Sequence, residues 1–247
     1  MFKILKRIFS SVLQRLSIVR LDINRNDRQG ALAKAWGHVY TNSIVGDYVE
    51  FGVYKGDSVV SSLKIRKDFN LWLLSQHKSD EKWRRDFARN SPLNDSQIFH
   101  CLDTFEGMPD NDEGSIAFAK GSFFSKLSEV KAKIEKHNSE NIKVKYYKGL
   151  FSETRIEFLK SIKSRNIAIA NIDCDLEAST RDALNSINQN ISIGTILLID
   201  DYNSFKADNN KGQRKAFSDF QEKSEFIFEK FFHYMFVGQA FLVVGRK

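Results

Sequence analysis

The stretch "IANIDCDLEAST", Ile169–Thr180, runs apolar and then turns acidic at Asp173 and Asp175. "GTILLIDDYNSF", Gly194–Phe205, repeats the pattern and ends in Asp200 and Asp201. Short apolar runs without alternation read as strands buried on both faces, as central strands of a parallel sheet are. Between them "STRDALNSINQN" reads as a helix, with Ser179 or Thr180 able to cap it. The unit is strand–helix–strand, so its two strands are expected to be neighbours that deliver their acids to one edge.

The same alternation extends outward. "GDYVEFGV" is strand-like and precedes a helix starting at Asp57 or Ser58. "SQIFHCLDTF" and "NIKVKYYKG" are further strands, separated by the helix "SKLSEVKAKIEKH". "SETRIEFLKSIK" carries a capping-box pattern, Thr154 to Glu157, at a helix start. "KGQRKAFSDFQEKS" is helical, as is "DRQGALAKAWGHVYTNSI" near the start. The tail "FFHYMFVGQAFLVVGRK" holds two strand-like runs parted by little more than Val237, Gly238 and Gln239, which makes a hairpin. The expected architecture is α/β: a central, mostly parallel seven-stranded sheet with right-handed crossovers, helices on both faces and an antiparallel terminal hairpin.

The 247 residues suit one large domain with an added arm, and only two prolines argue against long linkers. The 21 phenylalanines read as core filling. Of the net charge of +7, five come from Lys3, Lys6, Arg7, Arg15 and Arg20, with no acid before Asp22. The body is therefore close to balance, and no nucleic-acid partner is expected. Phe2, Leu5, Phe9, Val12, Leu13, Leu16 and Val19 recur at helical spacing among those basic residues. Residues 1–40 read as a basic amphipathic helical arm ahead of a domain at 41–247. The segment 1–21 is too short in apolar run to span a bilayer. It reads as packed on its own domain or on a second copy in a homodimer, or else as resting on an anionic membrane surface. The expected location is cytoplasmic, with the inner membrane face as the second reading. Cys101 and Cys174 fall in apolar strand-like runs and read as reduced and buried. The polar segment from about 71 to 94, with Trp72 and Trp83, reads as a helical insert or lid.

In an open parallel sheet, ligands bind beyond the carboxyl ends of the strands. The first strand ends in Glu50, Gly52 and Gly56, whose glycines let a ligand approach the backbone. The second ends in Asp103, where an acid can accept from ribose hydroxyls. The fourth and fifth end in the aspartate pairs. Converging carboxylates repel unless a cation or shared proton compensates, and hard oxygen donors suit Mg²⁺.

In this order "VEFGVYKGDS", "LDTFEGMPD", "GSFF", "KGLFSET", "IDCDLEAST" and "LIDDYNS" resemble the macrocin O-methyltransferase family over about residues 46–244. The resemblance implies a Rossmann-like class I methyltransferase fold, which the hairpin-finished sheet also matches. It implies a transferase of natural-product and carbohydrate biosynthesis, dependent on S-adenosylmethionine and magnesium, that methylates a sugar hydroxyl. It would place Glu50, Gly52, Tyr54, Gly56 and Ser58 at the methionine end of the cofactor and Asp103 on the ribose. Thr104, Phe105 and Ser122 would lie near ribose and adenine. Asp173, Asp200 and Asp201 would hold the metal. Asp173 would take the acceptor's proton, with Asp175 as a further ligand, a support or the base. Leu176 and Glu177 stand where family members commonly carry an aromatic, on the acceptor side. Two other readings remain at this stage: a metal-dependent glycosyltransferase using Asp-x-Asp, and a non-catalytic membrane-surface or assembly subunit.

Overall fold

The computed structural model describes residues 26–91, 97–113, 118–140 and 142–247. The segment 1–21 and the last residues of the 71–94 stretch thus lie outside the described residues. The elements are α1 (Arg28–Thr41), β1 (Asp47–Phe51), α2 (Asp57–Gln76), α3 (Lys82–Asn90), β2 (Ile98–Asp103), α4 (Leu127–His137) and β3 (Lys143–Lys148). Then come α5 (Phe151–Ile162), β4 (Ile167–Ile172), α6 (Glu177–Ile187), β5 (Ile196–Ile199), α7 (Gly212–Lys223), β6 (Phe226–Tyr234) and β7 (Gly238–Arg246).

The strands form one seven-stranded sheet in the order β3-β2-β1-β4-β5-β7-β6. β1 pairs in parallel with β2 and with β4, and β4 with β5. β7 runs antiparallel to β5, and β6 to β7. Every residue of β4 and β5 is buried, which is why both read as unbroken apolar runs. Strand order reverses between β1 and β4, so the crevice at that switch point opens at their carboxyl ends.

Alternation along the strands splits the core in two. On one face Tyr48, Phe99, Ile169 and Leu198 meet α1, α2 and α4. On the other Val49, Ala170, Leu197 and Phe241 meet α5, α6 and α7. Trp36 of α1 is fully buried, stacks near Tyr48 and Phe99, and its indole N–H donates to Ser62 Oγ at 2.6 Å. Burying such a side chain contributes roughly 3 kcal/mol. α1 therefore belongs to the core, although residues 28–40 fall within the stretch read as an arm. Among the described residues no helix is long and apolar enough to cross a membrane.

The structure corrects local details of the reading. α2 runs on past residue 71 to Gln76 because Leu73 and Gln76 still face the core. α3 then folds back, with Trp72 edge-on to Phe87. The capping box at Thr154 and Glu157 does not form, because α5 starts one turn earlier, at Phe151. Glu153 Oε2 instead accepts from the Leu150 amide at 3.0 Å, while the Thr154 hydroxyl donates back to the Leu150 carbonyl. Neither Ser179 nor Thr180 caps α6, which begins at Glu177. Its first amide donates to Glu113 Oε1, 2.5 Å away on a distant loop. Both cysteines are free and buried.

Candidate active site

A cavity of about 380 Å³ opens at the carboxyl ends of β1, β2, β4 and β5. That is within the range of small-molecule sites. Gly52, Tyr54, Ser58, Asp103, Thr104, Asp173, Asp175, Asp200 and Asp201 line it. The cavity is thus where the switch-point rule puts it, and it gathers nine of the residues singled out in the sequence.

Gly52 makes this convergence possible. Its φ is +89°, and a Cβ there would sit 1.7 Å from the carbonyl oxygen of Asp173. The strand ends are stitched at this point: the Asp173 amide donates to the Phe51 carbonyl, joining β4 to β1, and the Gly52 amide to the Leu102 carbonyl, joining β1 to β2, both at 2.9 Å. Beyond it, Tyr54, Phe105 and Asp175 each take a left-handed conformation unusual for a residue with a side chain. Backbone strain of this kind persists only where the surroundings impose it, and it clusters at ligand sites.

Asp103 organises the β1–α2 loop. Its Oδ2 accepts from the amides of Val53 and Tyr54 at 2.7 and 2.8 Å, and its Oδ1 from Phe105 at 2.6 Å. A carboxylate has about four acceptor positions, so roughly one remains open toward the cavity. The loop after β2 closes on itself through Met108 and Ser122, whose backbones bond at 2.8 Å. The ring of Phe123 meets that of Tyr54 edge-on at 5.6 Å.

Four residues of the reading do not line the cavity. Glu50 is fully buried beneath it and accepts from the hydroxyls of Tyr48 and Ser58. Burial pushes its carboxyl up to about 7, against the pull of those two donors. Gly56 precedes α2 and packs against Val130 and Ile134 of α4. Phe105 is buried and Ser122 acts through its backbone.

The four aspartates converge on one rim of the cavity. One carboxylate oxygen from each of Asp173, Asp175 and Asp201 lies within 4.8 Å of the others. Asp200 adjoins that trio on the same rim, and Arg28 holds it together with Asp173. The Arg28 Nη1 lies 2.6 Å from Asp173 Oδ2. Burial, and then the Asp200 charge, push Asp173 well above the usual carboxylate range. Burial and the adjoining Asp201 carboxylate push Asp175 up to about 9. Burial opposes the charge on Arg28, yet Asp173 and Asp200 outweigh it and raise its pKa. Asp200 Oδ1 is buried, and the buried hydroxyl of Tyr234 adjoins the Asp200 carboxylate.

Sequence reasoning missed Arg28 and the apolar wall of Met108, Pro109, Phe118, Leu150 and Phe151. The wall residues look like any core residues in sequence. Arg28 left one signal: it is the first residue of α1, where the helix dipole disfavours a positive charge.

A model of the family described as macrocin-O-methyltransferase (TylF) matches residues 85–231, more than half of the chain. The 8-demethyl-8-(2,3-dimethoxy-alpha-L-rhamnosyl)-tetracenomycin-C 4'-O-methyltransferase of Streptomyces olivaceus is 28% identical over 172 residues, covering 66% of this chain and 56% of its own. The demethyldecarbamoylnovobiocin O-methyltransferase of Streptomyces niveus is 24% identical over 172 residues, covering 66% of this chain and 55% of its own. The matched region thus spans little more than half the length of these curated relatives. Among solved structures, the O-methyltransferase NovP shares the fold, with a TM-score of 0.63 at 18% identity over 88% of this chain and 79% of its own. The family match takes Asp-x-Asp away from the glycosyltransferase reading and covers both aspartate pairs of the rim. By that match the chain belongs to the macrocin O-methyltransferase family.

Proposed function

We propose that the chain transfers a methyl group from S-adenosylmethionine to a hydroxyl of a sugar or glycosylated metabolite, with Mg²⁺ held at the aspartate cluster. The observation that carries this reading is the carboxylate trio of Asp173, Asp175 and Asp201 on the wall of the cavity that Asp103 borders. Family membership and the printed names of the two curated relatives, both O-methyltransferases, support it.

The residues fit both groups. Hard carboxylate oxygens suit Mg²⁺, and the upward shifts of Asp173 and Asp175 mark a cluster short of positive charge. The cavity offers an acid with an open acceptor position, Asp103, and apolar faces from Met108, Phe123, Leu150 and Phe151. In this reading Gly52, Tyr54 and Ser58 floor the methionine end, and Glu50 works from beneath by holding the Ser58 hydroxyl. Asp103 accepts from the ribose, with Thr104 beside it. Gly56, Phe105 and Ser122 shape the loops around the cofactor. Bound there, the cofactor supplies an electrophilic sulfonium methyl and the cation supplies positive charge next to the acceptor oxygen.

The proton of the acceptor hydroxyl goes to an aspartate. Asp173 and Asp175 both line the cavity and are the two candidates for that role. Alignment of the hydroxyl in a cavity walled by Phe118, whose ring is backed by that of Phe205 at 5.9 Å, excludes water from the attack. The printed name of the Streptomyces olivaceus relative, which includes a rhamnosyl group, supports a deoxysugar hydroxyl as the acceptor.

The test is calorimetric binding of S-adenosylhomocysteine, paired with transfer of labelled methyl from S-adenosylmethionine to a panel of rhamnosides and nucleotide deoxysugars. Asp201→Asn should keep S-adenosylhomocysteine binding and lose Mg²⁺-stimulated transfer. Absence of S-adenosylhomocysteine binding to the unmodified protein would overturn the reading and favour the non-catalytic one.

A further inference from the structure

Arg28 is the one cation paired with the four aspartates at the ends of β4 and β5 among the described residues. Its two terminal nitrogens bridge Oδ2 of Asp173 and Oδ2 of Asp200, across two neighbouring strands. Those are oxygens that an ion lying between the strand ends would take. A guanidinium and a small dication cannot both hold the same oxygens at close range, since Mg²⁺ demands ligands at about 2.1 Å. The bridge uses one Asp200 oxygen only: Oδ1 is buried, and the buried Tyr234 hydroxyl adjoins the same carboxylate. Asp200 is only 6% exposed, so Oδ1 is a polar atom withheld from water.

Two features make the bridge easy to release. The Arg28 side chain is 37% exposed, which leaves it a side open to solvent. It also begins α1, where a positive charge gains nothing from the helix dipole. Its pairing with the aspartates is what holds it, and an ion of twice its charge competes directly for them.

We propose that Arg28 is a tethered stand-in for the divalent cation: it holds Asp173 and Asp200 in the metal-free protein and is displaced when the ion binds. The proposal rests on the divalent-cation reading above. It gives Arg28 a stabilising role before loading and none after it. Release frees the residue that begins α1, so loading is coupled to the start of that helix.

The experiment uses the full chain, Mn²⁺ as the probe, titration calorimetry and thermal unfolding. Arg28→Gln should bind Mn²⁺ more tightly than the unmodified protein by about tenfold or more. Its metal-free midpoint of unfolding should be lower. At saturating Mn²⁺ the two midpoints should coincide, because the ion has replaced what the variant lacks. Arg28→Lys, which keeps a charge but loses the bridging geometry, should fall between them and serves if the glutamine variant does not fold without metal. Equal or weaker Mn²⁺ affinity in the variants would overturn the proposal. So would a gap in midpoint that persists at saturation, since that means Arg28 stays on the aspartates beside the ion. Failure of the unmodified protein and the variants alike to bind Mn²⁺ would overturn the cation reading and this proposal with it.

Discussion

Replacing Gly52 with alanine tests whether fold and site share a single joint. The added Cβ would sit 1.7 Å from the Asp173 carbonyl oxygen, and real Cβ atoms essentially never come closer than 3.0 Å to such a neighbour. The ends of β1 and β4 must therefore part by more than 1 Å, roughly the difference between those distances. Parting them stretches the 2.9 Å bond from the Asp173 amide to the Phe51 carbonyl. Each net hydrogen bond contributes about 1 kcal/mol, and the left-handed φ adds about 1 kcal/mol for a residue with a side chain. The expected loss is about 2 kcal/mol of stability, read by urea unfolding. Gly121→Ala is the matched control: its φ is +80°, but a Cβ there meets nothing within 4 Å. It should cost only the conformational part, about 1 kcal/mol. Because Asp173 moves with the joint, Gly52→Ala should also weaken Mn²⁺ binding and cut methyl transfer by about a hundredfold, as a 1 Å misplacement does. Equal destabilisation by the two substitutions, or Mn²⁺ binding unchanged in Gly52→Ala, would refute the idea that this close approach sets the position of Asp173.

Two further outcomes follow from charge. Asp103→Asn turns an acceptor of three amides into a group that presents donors to some of them, so S-adenosylhomocysteine affinity should fall about thirtyfold, a loss near 2 kcal/mol by calorimetry. Asp175, pushed up to about 9 from an ordinary 3.8, holds its proton at pH 7 in the metal-free protein, so Mn²⁺ binding should release about one proton, seen as a buffer-dependent heat. The same shift stabilises the metal-free fold at low pH, and that contribution is lost as pH rises toward 9; the unfolding midpoint should therefore drop from pH 6 to pH 9 without metal and flatten with saturating Mn²⁺. A flat metal-free profile would count against it.

What the sequence shows and hides follows from the range of each interaction. β4 and β5 are legible because strands buried on both faces must be apolar throughout, and the acids that end them are then conspicuous. The adjacency of β4 and β5 follows from one strand–helix–strand unit. Arg28 is hidden because its partner Asp200 lies 172 residues away, and no local pattern connects a helix start to a strand end at that distance. The cap on α6 is hidden for the same reason: Glu113 reaches it from 64 residues upstream, so the hydroxyl residues that look like caps go unused. Glu50 reads as a rim residue because it is the penultimate residue of β1. Alternation along β1 instead turns it inward, into the layer shared with Tyr48.

The two ends of the sheet treat buried acid in opposite ways, and the contrast separates structure from function. At the amino ends, Asp47 accepts from Nε and Nη2 of Arg165 at 2.6 Å and from the Ile98 amide at 2.9 Å, and meets the His100 ring at 3.1 Å. Burial would raise its pKa, but those donors bring it below the ordinary value, so this carboxylate is fully compensated and has nothing left to bind. At the carboxyl ends, four aspartates share one arginine, and two of them are driven up toward neutrality. A fold that needed only stability would complete the second cluster as it completes the first, because an unpaired buried charge costs several kcal/mol. The incomplete cluster opens on the cavity, and the complete one packs against Tyr147 and Phe158 in the core. Of these two clusters, compensation is withheld at the one that a ligand can reach, which is the physical argument for the proposal that places the chemistry at Asp173, Asp175 and Asp201.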